Sequence, residues 1–359
     1  MMLGIEDRLS SELSKLYQSR GYQKFKMGSF EEYSMYLDNK DFLISKNVIT
    51  FGGLDGRLLA LRPDVTLSII KNVKTDETSK LFYNEKVYRA VGEEYKEVSQ
   101  TGVEVIGDID LVTEAEITTL ILSTLDKVGK RYLLDISHMG FVEGLIDSFE
   151  VSIEDKQKLY TLLKTKNVHD VLKEVSTLGE ENAKLFAKLL SIGGAMQNAV
   201  KDAEEICVND KMKDALASLK DLFNVLKLTG QDKCVNINFS IVNNADYYNG
   251  IIFNGYIEGI PHAVLSGGRY DKLVNKFEKK AGAIGFALYL GEIVRYFNEN
   301  QDETDALIIY GEDAVCALNI ANEFIAKGLS VRLASTKVSG LFKKIYRIEN
   351  GKAVEVENA

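Results

Sequence analysis

The sequence predicts an α+β fold in which an antiparallel sheet of about six strands is flanked by helices. Three observations lead to this prediction. Residues 41–106 and 234–258 consist of short apolar segments broken by Gly, Asp and Asn, as strands joined by turns are. Residues 150–228 instead carry Leu, Ala, Lys and Glu at helical spacing, which predicts a helical insert. Residues 305–335 read as strand, helix and strand, which predicts a small C-terminal α/β unit.

The first elements follow from periodicity and from stop signals. A helix is predicted over residues 5–20, because its apolar residues form one stripe and Gly21 is a natural C-terminal stop. The stripe consists of Ile5, Leu9, Leu13, Leu16 and Tyr17. Strands are predicted at 42–51 (FLISKNVITF), 56–62 (GRLLALR), 80–90 (KLFYNEKVYRA) and 102–107 (GVEVIG). Thr113 and Glu116 form a capping box before the next helix, and a strand follows at 131–137.

The later elements complete the predicted domain organisation. Residues 262–274 (HAVLSGGRYDKLV) read as a strand, a turn at Gly267 and Gly268, and the start of a helix. A strand that runs into a helix follows at 281–297. We therefore divide the chain into a core of residues 1–300, with its insert at about 150–228, and a short C-terminal unit of residues 301–359.

Composition excludes several classes of protein. Lys and Arg number 44 against 53 Asp and Glu, so binding nucleic acid mainly by charge is not expected. No apolar run approaches the ~20 residues that span a bilayer, and the start is no secretory signal, so we expect a cytoplasmic protein without membrane contact. Three scattered cysteines and three dispersed histidines predict neither disulfides nor a metal centre.

Several polar side chains suit a pocket for a free amino acid, which brings an ammonium, a carboxylate and a side chain. An ammonium needs an acidic or hydroxyl acceptor, and Asp64 and Thr66, two apart on a predicted extended strand, would share one face. Gln100 lies four residues before Glu104, so these two also share a strand face. The guanidinium of Arg89 can pair with a carboxylate in a fork geometry.

Four segments carry a family resemblance because they occur together and in order. They are LRPDVT (61–66), YR (88–89) followed by QTGVEVIG (100–107), NNADYYNG (243–250), and SGGRYD (266–271) followed by AIGFA (283–287). This set resembles the histidyl-tRNA synthetases, whose corresponding motifs read LRPE-x-T, Q-x-GVE-x-x-G, R-G-x-D-Y-Y and GGGRYD. The resemblance covers most of residues 5–297, including the insert, and implies the antiparallel sheet of a class II aminoacyl-tRNA synthetase.

The resemblance implies a histidine site in this sheet. An imidazole donor needs a carboxylate and a phenol, which Glu104 and Tyr248 would supply. Tyr247 would pack behind Tyr248. The positions implied to bind histidine are Asp64, Thr66, Arg89, Gln100, Glu104, Tyr247 and Tyr248. Asp64 stands where the family has Glu, which is one methylene longer.

Three departures from the family imply that aminoacylation is lost. Asn243 stands where the family has an Arg that neutralises charge during attack on the α-phosphate, and an amide cannot replace that charge. Glu292 stands where the family has an ATP-binding Arg, so a carboxylate would repel the triphosphate. The loop after Arg89 (AVGEEYKE) is shorter and more acidic than the family's loop, which suits neither ATP nor a tRNA end.

A histidine pocket without ATP and tRNA handling resembles the non-catalytic paralogues that serve as regulatory subunits of ATP phosphoribosyltransferase. This resemblance implies no catalytic residue and no cofactor. It implies a homodimeric core that assembles with a short catalytic subunit in a hetero-octamer, supports the first step of histidine biosynthesis and takes part in feedback inhibition by histidine. Two alternatives stay open: a divergent histidyl-tRNA synthetase, and a free-standing histidine-binding module.

Overall fold

The structure of the protein is a computed structural model. It describes residues 4–39, 48–92, 94–129, 131–165, 179–242, 247–300, 303–311, 313–336, 338, 341–349 and 351–356. The chain forms two compact units, Met1–Gly291 and Glu292–Ala359. The sequence prediction places this division after residue 300.

The first unit is built on a mixed sheet with nine described strands. Its six central strands run antiparallel to their neighbours and are, in spatial order, β5 (Ser79–Val91), β6 (Glu94–Gly107), β12 (Gly282–Tyr289), β11 (Leu265–Arg269), β10 (Ile251–Ile257) and β7 (Tyr132–His138). At the edges, parallel pairing adds β1 (Gln23–Lys24) to β5 and β9 (Val235–Asn238) to β7, and β8 (Gly193–Ala195) lies antiparallel beyond β9. The predicted six-stranded antiparallel sheet is confirmed, and short edge strands extend it.

Two long helices pack against each other and against this sheet: α1 (Ile5–Ser19) and α4 (Leu111–Val128). The side chains of Leu9, Leu13 and Tyr17 on α1 are buried, as the predicted stripe requires. None of the described helices is both long enough and apolar enough to span a bilayer.

The capping box predicted for α4 is wrong. The carboxylate of Asp110 caps the helix, because its Oδ1 accepts hydrogen bonds from the backbone N–H and the hydroxyl of Thr113, at 2.8 and 2.7 Å. Thr113 therefore lies inside the first turn, where Asp110 already satisfies one of the free N–H groups of the helix start.

The predicted helical insert contains four described helices. They are α6 (Ile153–Thr165), α7 (Glu180–Ser191), α8 (Met196–Glu204) and α9 (Asp210–Leu228). Before the insert, α5 (Met139–Asp147) packs against α9. The insert also contains one short strand, since residues 193–195 form β8. Their sequence, Gly-Gly-Ala, lacks the β-branched and aromatic residues that mark a strand.

A second, smaller sheet lies in the same unit. It consists of β2 (Phe30–Glu32), β4 (Leu58–Leu61) and β3 (Thr50–Gly52), with β4 in the middle. The helices α2 (Tyr33–Asp38) and α3 (Thr66–Asn72) share with it a core that includes Tyr36, Ala60 and Ile70. Of the strand predicted at 42–51, residues 42–47 lie outside the described residues, and its end falls on β3.

The loop predicted after Arg89 is instead part of a β-hairpin. Arg89 pairs with Lys96 and Val91 pairs with Glu94, so only residues 92 and 93 separate β5 from β6. Gly92 has a φ of +63°, a conformation that Gly adopts without strain in such short turns. The two strands therefore extend through the segment that the sequence motif suggested would be irregular.

The turn predicted at Gly267 and Gly268 is also wrong, because both residues lie within β11, before α10 (Asp271–Lys276). Gly267 pairs with Phe286 on β12. A Cβ atom at Gly267 would overlap the backbone of β12, so this glycine permits close approach between strands and makes no turn.

The second unit is a four-stranded sheet of order β14–β13–β15–β16 with a helix packed against it. Its elements are β13 (Glu303–Ile309), α12 (Ala314–Ala326), β14 (Val331–Ala334), β15 (Leu341–Glu349) and β16 (Lys352–Val356). The first three form the predicted parallel β-α-β unit, and the antiparallel pair β15–β16 was not predicted. The helix α11 (Leu290–Asn300) spans the division between the two units.

The contacts of Asn209 generate a stability prediction. Its Oδ1 accepts from the N–H of Met212 at the start of α9, and its Nδ2 donates to the carbonyl of Gly144 on α5, at 3.0 and 2.8 Å. We expect Asn209→Ala to lower the free energy of unfolding by about 1–2 kcal/mol, because a helix cap and an interhelical bond are lost. Urea denaturation followed by circular dichroism measures this change. The control, Asn224→Ala on the exposed side of α9, should leave stability unchanged or slightly raised, and equal losses in both variants would contradict the prediction.

Candidate functional site

A cavity of about 590 Å³ opens on the central sheet of the first unit. All seven residues predicted to bind histidine line it: Asp64, Thr66, Arg89, Gln100, Glu104, Tyr247 and Tyr248. Tyr247, which was expected to pack behind Tyr248, also reaches the cavity, and its ring lies against those of Tyr248 and Tyr270 at centroid distances of 4.7 and 5.5 Å. The structure therefore brings together residues from both halves of the first unit.

Strand alternation places Gln100 and Glu104 in the cavity wall, as their spacing on β6 predicts. On the neighbouring strand β12, Tyr289 pairs with Gln100 and Gly285 pairs with Glu104. A Cβ atom at Gly285 would overlap the Glu104 carboxylate. The absence of a side chain at 285 thus leaves the space that the carboxylate occupies.

The prediction that Asp64 and Thr66 lie on an extended strand is wrong. Thr66 is the first residue of α3, and Asp64 lies before this helix, where its Oδ1 accepts a hydrogen bond from the N–H of Leu67 at 2.9 Å. Pro63 precedes Asp64, and a carboxylate just before a helix satisfies its free N–H groups. The two residues reach the cavity because the start of α3 adjoins it, and not because they share a strand face.

The carboxyl group of Glu104 is fixed by two hydroxyl groups. The Thr66 hydroxyl donates to Oε1 at 2.8 Å, and the Tyr270 hydroxyl donates to Oε2. Burial raises the pKa of Glu104 to about 8 from an ordinary value near 4.5, although the two hydrogen bonds act to lower it. Glu104 is therefore an acceptor held in one orientation, and burial disfavours its ionised form.

The charges in the cavity wall favour a ligand with both a cationic and an anionic group. Burial also raises the pKa of Asp64, while the bond from Leu67 N–H and the charge of Arg89 act to lower it. A ligand cation would offset the cost of ionising these buried carboxyl groups. Arg89 donates from Nε to the carbonyl of Pro63 at 3.4 Å and forms no ion pair among the described residues, so its guanidinium suits a ligand anion.

Sequence reasoning missed several residues of the cavity wall. They include Tyr83, Asn254, Ser266, Tyr270 and Tyr289, together with Lys164 from the insert. The hydroxyl groups of Ser266 and Tyr289 lie 2.6 Å apart. The signal for Tyr270 was present, because it is the tyrosine of the SGGRYD segment. The signal for Tyr289 was its place on β12 four residues after Gly285, which puts both on one face.

The three departures from the family motifs lie in different parts of the chain. Asn243 lies outside the described residues. Glu292 belongs to the second unit, where it pairs with Arg295 at 2.9 Å on the same helix. The shortened loop is the two-residue connection between β5 and β6. Over the described ranges, no group of three or more His, Cys, Asp or Glu side chains could hold a metal ion.

The raised pKa of Glu104 predicts how stability depends on pH. Because this pKa lies above that of an exposed glutamate, the residue's contribution to the free energy of unfolding is fully present below about pH 4.5 and is lost as pH rises through about 8. Glu104→Gln removes this titration. We therefore expect the midpoint of thermal unfolding to fall less between pH 6 and pH 9 in the variant than in the unmodified protein, as measured by calorimetry without ligand.

The matched control for this experiment is Glu97→Gln on the same strand. Glu97 pairs with Lys86 at 2.6 Å on the exposed part of the hairpin. The midpoint of thermal unfolding of Glu97→Gln should depend on pH as that of the unmodified protein does. The same fall in midpoint for Glu104→Gln as for Glu97→Gln would show that burial does not raise the pKa of Glu104.

Comparison with known proteins agrees with the resemblance stated from the motifs. A family model described as histidyl-tRNA synthetase matches residues 4–293. An ATP phosphoribosyltransferase regulatory subunit from Clostridium acetobutylicum is 27% identical, and the match covers 99% of this chain and 94% of that protein. The crystal structure of an ATP phosphoribosyltransferase regulatory subunit/histidyl-tRNA synthetase from Bacillus halodurans C matches with a TM-score of 0.74 and 26% identity, over 91% of this chain and 88% of that chain.

A more distant structure shares the fold. The ATP phosphoribosyl transferase (HisG:HisZ) complex from Thermotoga maritima contains a chain that matches with a TM-score of 0.64 and 18% identity, over 80% of this chain and 97% of that chain. The family model covers most of the protein described here, including every residue of the cavity wall. The chain therefore belongs to the histidyl-tRNA synthetase family.

Proposed function

We propose that this protein is the regulatory subunit of an ATP phosphoribosyltransferase, the enzyme of the first step of histidine biosynthesis. It would bind histidine in the cavity, perform no aminoacylation itself and act through a short catalytic subunit. The similarity to curated regulatory subunits over nearly the whole chain supports this role. The observation that carries the proposal is that the amino-acid cavity coexists with a hairpin closed by residues 92 and 93.

The cavity offers a partner for each group of histidine. The ammonium would lie against Asp64 and Thr66, and the imidazole would lie between Glu104 and Tyr248. The carboxylate would pair with Arg89, whose guanidinium can form two parallel hydrogen bonds. Burial disfavours the ionised forms of Asp64 and Glu104, and a ligand cation beside them would offset that cost.

The segments that would serve aminoacylation argue against that reaction. The resemblance implies that a loop between β5 and β6 contacts ATP and the tRNA end, and two residues cannot form such a loop. At the position implied to contact ATP through an Arg, Glu292 brings a negative charge, which would repel a triphosphate. A regulatory subunit needs neither contact.

We further propose the assembly that the resemblance implies, a hetero-octamer of a cytoplasmic short catalytic subunit with homodimers of this chain. The fold shared with a chain of the Thermotoga maritima complex supports such a partner. For histidine to inhibit, it must bind the inhibited state of the assembly more tightly than the active state. Equal affinity for both states would leave activity unchanged however tightly histidine bound.

The chemistry of the cavity predicts the effect of Glu104→Gln on histidine binding. An amide cannot supply the charge that strengthens a hydrogen bond to imidazole, so the dissociation constant should rise about 10–100-fold. Isothermal titration calorimetry at pH 7.5 measures this change. Glu97→Gln lies on the same strand but outside the cavity, and should bind histidine as the unmodified protein does. An unchanged affinity for Glu104→Gln would place histidine elsewhere.

The proposed role predicts activation of a partner. Mixing the chain with a short ATP phosphoribosyltransferase catalytic subunit should raise the rate of phosphoribosyl transfer at least tenfold, and histidine should then inhibit it. Exchange of pyrophosphate with ATP in the presence of histidine should stay at background. Rapid exchange would favour a divergent synthetase, and histidine binding without a complex or activation would favour a free-standing histidine-binding module.

A further inference from the structure

The short helix α3 is held by polar contacts toward two different sheets. At its first residue, the Thr66 hydroxyl donates to Glu104 of the large sheet at 2.8 Å. Two residues later, the Ser68 hydroxyl donates to Oε2 of Glu31, on β2 of the small sheet, at 2.7 Å. The first turn of this helix therefore contacts the cavity through Thr66 and the small sheet through Ser68.

The contact with Glu31 lies in the interior and away from the cavity. Ser68 is fully buried, and so is Tyr36 on α2, whose hydroxyl donates to the same Glu31 oxygen. Neither Glu31 nor Ser68 is part of the cavity wall. Glu31 itself is half-buried, and the two buried hydroxyl groups that donate to it would be left unpaired if it moved away.

Charge also connects Asp64, just before this helix, with Glu31. Burial raises the pKa of Asp64 most, and the Glu31 carboxylate raises it further. The two acidic groups therefore repel each other when both are ionised. A cation bound at Asp64 would reduce their mutual repulsion and so favour the arrangement in which Glu31 keeps its hydroxyl partners.

We propose that α3 couples occupancy of the cavity to the small sheet through the Ser68–Glu31 hydrogen bond. This inference rests on the proposed binding of histidine and adds the regulation of the same site. A ligand that contacts Asp64 and Thr66 holds the start of α3, and Ser68 then holds β2 in register. Phe30, the residue before Glu31, is 62% exposed, so a change in β2 reaches the surface of the protein.

Thermodynamic reciprocity makes the coupling measurable from both ends. If histidine stabilises the small sheet, a substitution that favours the loosened sheet also weakens histidine binding. Ser68→Ala lacks the hydroxyl and leaves every residue of the cavity wall in place. We expect it to raise the dissociation constant for histidine about 3–10-fold, a coupling of ordinary size for two linked sites. Lys71→Ala, an exposed substitution on the same helix, should change the constant less than twofold.

Hydrogen exchange of the full-length protein, followed by mass spectrometry with and without saturating histidine, tests the inference directly. In the unmodified protein and in Lys71→Ala, histidine should slow exchange in β2 and β4 at least threefold. In Ser68→Ala saturated with histidine, at least half of that protection should be lost. Glu31→Gln keeps the size of the side chain but weakens the hydrogen bond, and it should give the same result if Ser68→Ala fails to fold.

The outcomes separate this inference from the proposed function. Histidine binding without any change in the exchange of β2 and β4 would overturn the coupling and leave the proposed function intact. Full protection of the small sheet in both Ser68→Ala and Glu31→Gln would also overturn it. Failure of the unmodified protein to bind histidine would overturn the proposed histidine site and the coupling together.

Discussion

The site depends on the placement of one carboxyl group, that of Glu104, in the interior of the large sheet. Removing a carboxylate from water is costly, so the group needs fixed donors or a proton. The protein supplies both, because Thr66 and Tyr270 donate to its two oxygens and its pKa rises to about 8. These donors come from α3 and from the residue between β11 and α10, so the carboxyl group on β6 contacts side chains from two other parts of the fold.

The sequence predicted the parts of the site that depend on local geometry. Gln100 and Glu104 share a face because alternation along a strand is a property of the backbone, whatever surrounds it. The prediction of a strand was wrong for Asp64 and Thr66. A carboxylate after Pro63 can also precede a helix, and three residues do not distinguish an extended strand from the start of a helix. Tyr270 was missed for another reason: its contact with Glu104 joins residues far apart in the chain, and only tertiary structure creates it.

The fold, like the site, was predictable where local sequence patterns determine the structure. The six central strands overlap the apolar segments predicted as strands, whereas β8 is Gly-Gly-Ala and obtains its strand conformation from pairing with β9. Gly267 was misread because glycine serves two purposes, turns and close approach, and the sequence alone gives no distance between strands. The family resemblance supplied what local patterns could not, namely that segments up to 220 residues apart meet at one cavity.

The hairpin of β5 and β6 holds part of the cavity wall independently of the connection at its end. The strands β5 and β6 pair without interruption from Glu85 and Gln100 to Val91 and Glu94. This pairing fixes the position of Gln100 in the cavity wall, whatever the length of the connection that follows. A change in the length of this connection should therefore affect the cavity little, since loop length contributes weakly to stability. In the proposed role, histidine would bring a cation to a cavity in which burial disfavours the ionised form of Glu104. The free and the bound state would then differ in charge, and this difference would bias the elements attached to α3.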